Sequence, residues 1–297
     1  MTQAPDILCV GSVLWDVIGR SPKAMRLGSD QPGRIIRLPG GVAMNIAMTL
    51  VRFGMRPGLL SVVGQDRTGD TLLAEVRALG INTDYLYRSE DLPTDSYMAI
   101  EGANGLIAAI ADAHSLEQAG GKILRPLEDG RLGSVGAPWR GPVALDGNLT
   151  EELLRSIAGS DLFAAADLRV APASPGKAER LRAFLGHPRA TFYVNLEEAA
   201  LICAHDFEDA AAAARALREL GVARALVTDG GRMAAEAAGD ELRTVQPPPV
   251  MVTRVTGAGD TFMAAHIASE VQGANPGMAL ARALDAAASY VSGEGPR

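Results

Sequence analysis

Short apolar runs alternate with amphipathic stretches along almost the whole chain, and that alternation restricts the available folds more than any other feature. Runs at 7–10 (ILCV), 59–64 (LLSVVG), 143–147 (VALDG), 161–168 (DLFAAADL), 191–195 (TFYVN) and 224–229 (RALVTD) predict strands. The segments 42–53, 70–79, 150–158, 177–185, 196–204, 208–220, 258–271 and 277–292 predict helices. Strands separated by helices pair in parallel, and a parallel sheet needs cover on both faces. In the first helix Ala43, Ile46, Ala47, Leu50 and Val51 fall on one face, and Gly54 supplies a stop. Ala264, Ile267, Ala268 and Val271 repeat the stripe in the segment 258–271. A chain of 297 residues is long enough to build one large α/β domain, or one with a small appendage.

Two segments break the alternation. Residues 13–38 and 94–112 read as strands, and the second carries a hairpin signal at Gly102-Ala103-Asn104-Gly105. They predict a separate small sheet, which would make a lid over the carboxyl ends of the main strands, where ligands bind in such folds. The Gly/Pro-rich stretch 128–142 reads as a connection.

Charge and composition exclude several classes of partner. The net charge is -7, so no basic footprint for nucleic acid or anionic lipid is expected. No stretch approaches the roughly 20 apolar residues of a membrane span, and the N-terminus lacks the pattern of a signal peptide, so the cytoplasm is the expected location. Cys9 and Cys203 stand in apolar surroundings and read as buried thiols. His114, His187, His205 and His266 show no metal-ligand spacing and read as structural or surface residues.

The strongest local signal is Thr256-Gly257-Ala258-Gly259-Asp260, followed by an apolar helix. Small residues at a helix N-terminus expose backbone N–H groups, and the helix dipole favours an anion there. Such a site could hold a transferring phosphoryl group, with Asp260 placed to accept a hydroxyl proton. A Gly-rich turn with an acidic residue in the first helical turn explains the same pentapeptide without a ligand. Pro39-Gly40-Gly41 followed by Asn45 would let a polyol approach the backbone, Asn45 offering both a donor and an acceptor. Asp16, just past the first strand, could accept two vicinal hydroxyls or sit in a loop. Asn195-Leu196-Glu197-Glu198 could organise hydrated Mg²⁺ and phosphate, or form a capping box, or both. Thr228-Asp229-Gly230-Gly231 is a strand-end turn able to receive a nucleotide. Neither G-x-x-x-x-G-K-[ST] nor a G-x-G-x-x-G after the first strand occurs, so an ATP site here is of another type.

In this order, from about residue 7 to 292, the segments resemble the PfkB/ribokinase family of carbohydrate and nucleoside kinases. GGVAMNIAMTLVRFG followed by LLSVVGQDRTGD is similar to its first signature, and VTGAGDTFMAAHIA to its second. The resemblance implies a ribokinase-like three-layer α/β sandwich over residues 1–297, with a mostly parallel, nine-stranded-class sheet and a small β lid. It implies ATP, Mg²⁺ and transfer of the γ-phosphoryl group to a sugar hydroxymethyl. Asp260 then matches the base and Gly257, Ala258 and Gly259 the anion hole. Asp16, Gly40, Gly41 and Asn45 match the sugar side; Thr228, Gly230 and Thr256 match the nucleotide side. Asn195 and Glu198 match an N-x-x-E motif, Glu198 serving the metal through water.

TDSYMAIEGANGLIAAIADAHSLE, ALDGNLTEELL and APASPGKAERL are similar to the pseudouridine kinase branch, which places Ser96, Asp112, Asp146 and Asn148 near the nucleoside. Lys177 would then either neutralise phosphate or cap a helix. A plain sugar kinase (ribose, fructose or a keto-deoxy sugar acid) and a non-catalytic nucleoside-binding regulator are the other readings. Two departures stand out. Ala171 replaces the branch's Asp, and Arg254 stands where the family commonly has Asp, near a monovalent-cation site in many relatives. A guanidinium could replace that cation, so K⁺ dependence is not expected. Pairing of two copies through the lid is a further expectation of the resemblance.

Overall fold

A computed structural model describes residues 4–26 and 28–293. Residues 1–3, Leu27 and 294–297, which the domain and lid expectations also take in, lie outside the described residues. Along the chain run β1 (Ile7–Val10), β2 (Leu14–Arg20), β3 (Arg34–Gly40), α1 (Val42–Arg52), β4 (Pro57–Leu60), β5 (Val62–Gly64), α2 (Arg67–Ala78), β6 (Tyr87–Ser89), β7 (Ser96–Gly102), β8 (Gly105–Asp112) and α3 (His114–Ala119). There follow β9 (Pro142–Asp146), α4 (Glu151–Ala158), β10 (Asp167–Ala171), β11 (Ala190–Asn195), α5 (Leu196–Cys203), α6 (Ala210–Glu219), β12 (Arg224–Thr228), β13 (Ala234–Ala238), β14 (Glu241–Val245), α7 (Ala258–Val271) and α8 (Pro276–Ser292).

The main sheet has eight strands in the order β14-β13-β12-β11-β10-β9-β1-β4, one fewer than the family resemblance implied. From β4 to β12 every pairing is parallel; β13 and β14 close the far edge antiparallel. Strand alternation divides the core into two layers. Leu8 and Val10 join the cluster under α3, α4, α5 and α6, whereas Ile7 and Cys9 join the one under α1, α2, α7 and α8. This is a three-layer α/β sandwich. Among the described residues no helix is long and apolar enough to cross a membrane.

The two irregular segments form a second sheet, in the order β3-β2-β7-β8. The turn at Ala103-Asn104 joins β7 to β8, and Gly105 takes φ +94°, a conformation that favours glycine. Ile35, Met98, Ile100 and Ile110 share one face of this sheet and are exposed, Ile35 at 79%.

Several boundaries differ from the sequence reading. Residues 161–163 form a 3-10 turn and the strand begins only at Asp167, because Ser160 accepts from the Leu162 amide and starts a turn. The helix expected at 177–185 is a run of 3-10 turns over Pro175–Phe184. The β13–β14 hairpin escapes the strand pattern because AAEAA has no β-branched or aromatic residue. Cys9 is buried, but Cys203 is only half-buried.

A polar network interrupts the otherwise apolar layer beneath α7. Glu270 pairs with Arg169 and Arg224, and the buried His266 meets the Tyr193 hydroxyl at 2.8 Å. Four adjacent strands are thereby tied to the helix that carries Asp260.

Candidate active site

The carboxyl ends of β1, β9, β10, β11 and β12 open into a cleft of about 1900 Å³, walled on one side by the small sheet and on another by the start of α7. At one end the wall is wired by hydrogen bonds. Asp146, fully buried at the end of β9, accepts from the Ser12 amide at 2.8 Å, the Ser12 hydroxyl at 2.5 Å and the Asn148 amide at 2.7 Å. Ser12 Oγ also accepts from the Val42 amide, the first of α1, at 2.9 Å. Asn148 Nδ2 lies 3.2 Å from Ser12 Oγ, and Lys177 Nζ donates to Asn148 Oδ1 at 2.6 Å. A Cβ on Gly41, which has φ +98°, would lie 2.5 Å from the Ser12 carbonyl oxygen, so only glycine lets α1 start so close to β1.

That packing places Asn45 one turn into α1, where its Nδ2 donates to Asp260 Oδ2 at 2.9 Å. Burial raises the Asp260 carboxyl to about 7, and the charges of Asp146, Glu198 and Asp16 push the same way against the Asn45 bond. Asp16, also raised by burial, to about 6, lines the cleft from β2. Gly40 does not line the cleft; its missing side chain leaves room for the Asp16 carboxylate, which a Cβ would meet at 2.1 Å.

At the start of α7, Gly257 has φ +86°, and a Cβ there would lie 2.6 Å from the Tyr290 hydroxyl. A Cβ on Gly259 would meet nothing within 4 Å, so the backbone is open to the cleft. The Ala258 amide is bonded to the Val255 carbonyl at 3.1 Å, so of the three expected anion-hole residues Ala258 has its donor engaged.

The other end is built differently. Asn195 and Glu198 form a reciprocal capping box at 2.9 and 2.8 Å. One Glu198 oxygen is thus occupied, and burial raises the carboxyl to about 7. Thr228 ends β12, and Gly230 follows in a left-handed turn at φ +55°. Pro247, Pro249, Val250, Val252 and Val291 complete this end with apolar surface. Thr256 presents its carbonyl to the Tyr290 hydroxyl at 2.9 Å. Arg254 lies over the Tyr290 ring at 3.9 Å and donates through Nε to the Tyr290 carbonyl at 2.8 Å.

Not every expected residue reaches the cleft. Ser96 is the register partner of Trp15, and Asp112 that of Ser96, so both lie on the face opposite to Asp16. Tyr97 and Ala111, one position along, are the register partners that share the Asp16 face and line the cleft. Asp112 is exposed and pairs with His114 at 2.9 Å. Asp146 lies beneath the surface, its oxygens committed to Ser12 and Asn148 rather than to a ligand. Ser12 and Tyr97 carry no motif of their own; the strand-end Gly11-Ser12 pair and the period of β7 are the signals that could have found them.

Comparison with known proteins agrees with this architecture. The profile of the pfkB family carbohydrate kinases matches residues 4–297. The chain is 30% identical over 282 residues to the uncharacterized sugar kinase YeiI of Escherichia coli, covering 92% of this chain and 74% of that protein. It is 29% identical over 286 residues to the pseudouridine kinase of the same organism, covering 92% and 86%. Among solved structures, a carbohydrate kinase from Agrobacterium tumefaciens superposes with a TM-score of 0.80 at 26% identity, over 96% of this chain and 90% of that one.

Proposed function

The chain belongs to the pfkB family of carbohydrate kinases, and on that footing we propose that it transfers the γ-phosphoryl group of ATP to the 5'-hydroxymethyl of a nucleoside, pseudouridine before others. The observation that carries the reading is Asp260, held by Asn45 at the open N-terminus of α7, between a polar end and an apolar end of one cleft. As carboxylate, Asp260 takes the hydroxyl proton. The hydroxyl oxygen forms its bond to phosphorus as the bond to the ADP oxygen breaks. The amides of Gly257 and Gly259 and the α7 dipole offset the charge that develops on the transferring group.

Mg²⁺, when bound, neutralises phosphate charge. Among the described residues no three metal-ligating side chains cluster, so the donor set suits a metal held chiefly by phosphates and water. Glu198, with one oxygen left by its capping bond, would hold it through water. Thr228, Gly230 and Thr256 stand on the donor side, Asp16, Gly41, Asn45 and Asn148 on the acceptor side. Arg254 takes the place of a monovalent cation, and the exposed apolar lid residues support pairing of two copies there. A cytoplasmic location is part of the same proposal, since ATP is supplied there.

The likeness to the E. coli pseudouridine kinase favours the nucleoside; the likeness to a sugar kinase favours a plain sugar as second reading. An ADP-release screen of pseudouridine, uridine, adenosine, ribose, fructose and sugar acids separates them. Pseudouridine is expected to give the highest kcat/KM. A preference for ribose or fructose moves the assignment to the sugar reading, and binding without turnover to the regulator reading.

A further inference from the structure

Lys177 sits in the cleft wall, in the 3-10 segment that follows β10, half-buried. Its ammonium has three donors and no acceptor, so the Asn148 atom facing it at 2.6 Å is the amide oxygen. That fixes the other end of the amide: Nδ2 is turned to Ser12 Oγ at 3.2 Å and Asp146 Oδ2 at 3.3 Å. Both Asn148 donors are therefore directed into the protein. In this part of the wall Lys177 offers a ligand the hydrogens left over from its bond to Asn148, and Ser174, which also lines the cleft, offers a hydroxyl.

Lys177 is also tied to the acceptor side. Its partner Asn148 bonds to Ser12, and Ser12 anchors the α1 terminus that places Asn45 against Asp260. Burial and the neighbouring Arg180 both disfavour its charge, and an oxygen acceptor from the ligand would offset that cost.

We propose that Lys177 is a specificity residue, donating to a carbonyl oxygen of the acceptor's base and rejecting an acceptor that presents an amino group or nothing at that position. The inference rests on the nucleoside reading above. It favours bases of the uracil type, with carbonyl edges, because an amino group would set donor against donor.

The test is kinetic and calorimetric, on Lys177→Met and Lys177→Arg, each first compared with wild type by thermal melting. In Lys177→Met, KM for pseudouridine is expected to rise about 10- to 100-fold, the cost of one lost charged hydrogen bond. KM for ATP and the kinetics with ribose should stay within about twofold, and Lys177→Arg should recover part of the loss. Calorimetric titration with pseudouridine, without ATP, should show the same loss of affinity. A rise in KM for ATP shared by all acceptors would make Lys177 a phosphate ligand and overturn the inference. Unchanged kinetics throughout would make it a surface lysine, with the same consequence. Should wild type prefer a plain sugar and not turn over pseudouridine, the nucleoside reading fails in the wild-type screen, before either variant is compared, and this inference falls with it; unchanged pseudouridine kinetics in Lys177→Met, with wild type preferring pseudouridine, overturn this inference alone.

Discussion

The two ends of the cleft are made in opposite ways. At the acceptor end, Asp146, Ser12, Asn148 and Lys177 are joined by side-chain hydrogen bonds, Ser12 also holds the Val42 amide at the start of α1, and Asn45 on that helix bonds to Asp260, so five separated stretches of chain are linked. At the donor end the polar groups are local, as in the Asn195–Glu198 capping box, and the loop that closes the wall is apolar, with Val255 exposed at 71%. A pre-wired end discriminates, because the groups it holds cannot turn to suit a wrong ligand; an apolar end accepts by shape and area. On the function proposed above, acceptor choice would rest on the wiring and the donor end would serve positioning.

The strongest test of that division is Asp260→Asn. The substitution keeps shape and removes the base, so kcat should fall by about 10²–10⁴ while both KM values change only a few-fold. A loss below about threefold would leave Asp260 as a helix-terminus residue only. The same group sets a pH limb. Its carboxyl is raised to about 7, and only the ionised form accepts a proton, so activity should fall about tenfold per pH unit below 7 and level off above. Glu198 is raised to about 7 as well, so the limb should also be measured in Glu198→Gln. Disappearance of the limb there would transfer it to Glu198.

Asp146→Ala asks whether the wiring serves one end alone. It strands the Ser12 amide and hydroxyl and the Asn148 amide, a loss of about 2–4 kcal/mol if two such groups go unpaired. The midpoint of urea unfolding should drop, and KM for the acceptor should rise about tenfold with KM for ATP within about threefold. Equal damage to both KM values would dissolve the contrast between the ends.

The same contrast explains what could be read from sequence. Parallel strands and helices show themselves by local period, so β1, α1, β11 and α7 stand almost where the pattern put them. Asp260 and Asn45 lie on regular helices next to glycines, and their meeting follows once α1 and α7 pack together. Ser12 carries only the faint signal of the strand-end Gly11-Ser12 pair, because its role depends on Asp146, 134 positions away. The resemblance places Ser96 near the ligand, whereas Tyr97 lines the cleft, because one residue of phase turns a strand's side chain to the other face. The resemblance places Asp146 near the nucleoside; only its burial reveals that it holds the loop instead.

Arg254 tests the donor side, with the smallest expected effect. Its guanidinium is bonded to the Tyr290 carbonyl and stacked on the Tyr290 ring, while the Tyr290 hydroxyl holds the Thr256 carbonyl beside the start of α7. On the proposal that Arg254 takes the place of a monovalent cation, its fixed charge is already engaged at the Tyr290 carbonyl. Replacing K⁺ by tetramethylammonium at constant ionic strength should change the rate by less than about twofold. Arg254→Ala removes one cation–π contact, worth about 0.5–1 kcal/mol at an exposed site, so the loss should be a few-fold and confined to kcat and KM for ATP. In that variant K⁺ should restore part of the rate, because the Tyr290 carbonyl has lost its cationic partner. Strong K⁺ stimulation of the wild-type protein would show that the guanidinium does not fill the role, and a rise in acceptor KM in Arg254→Ala would show that the two ends of the cleft are coupled after all.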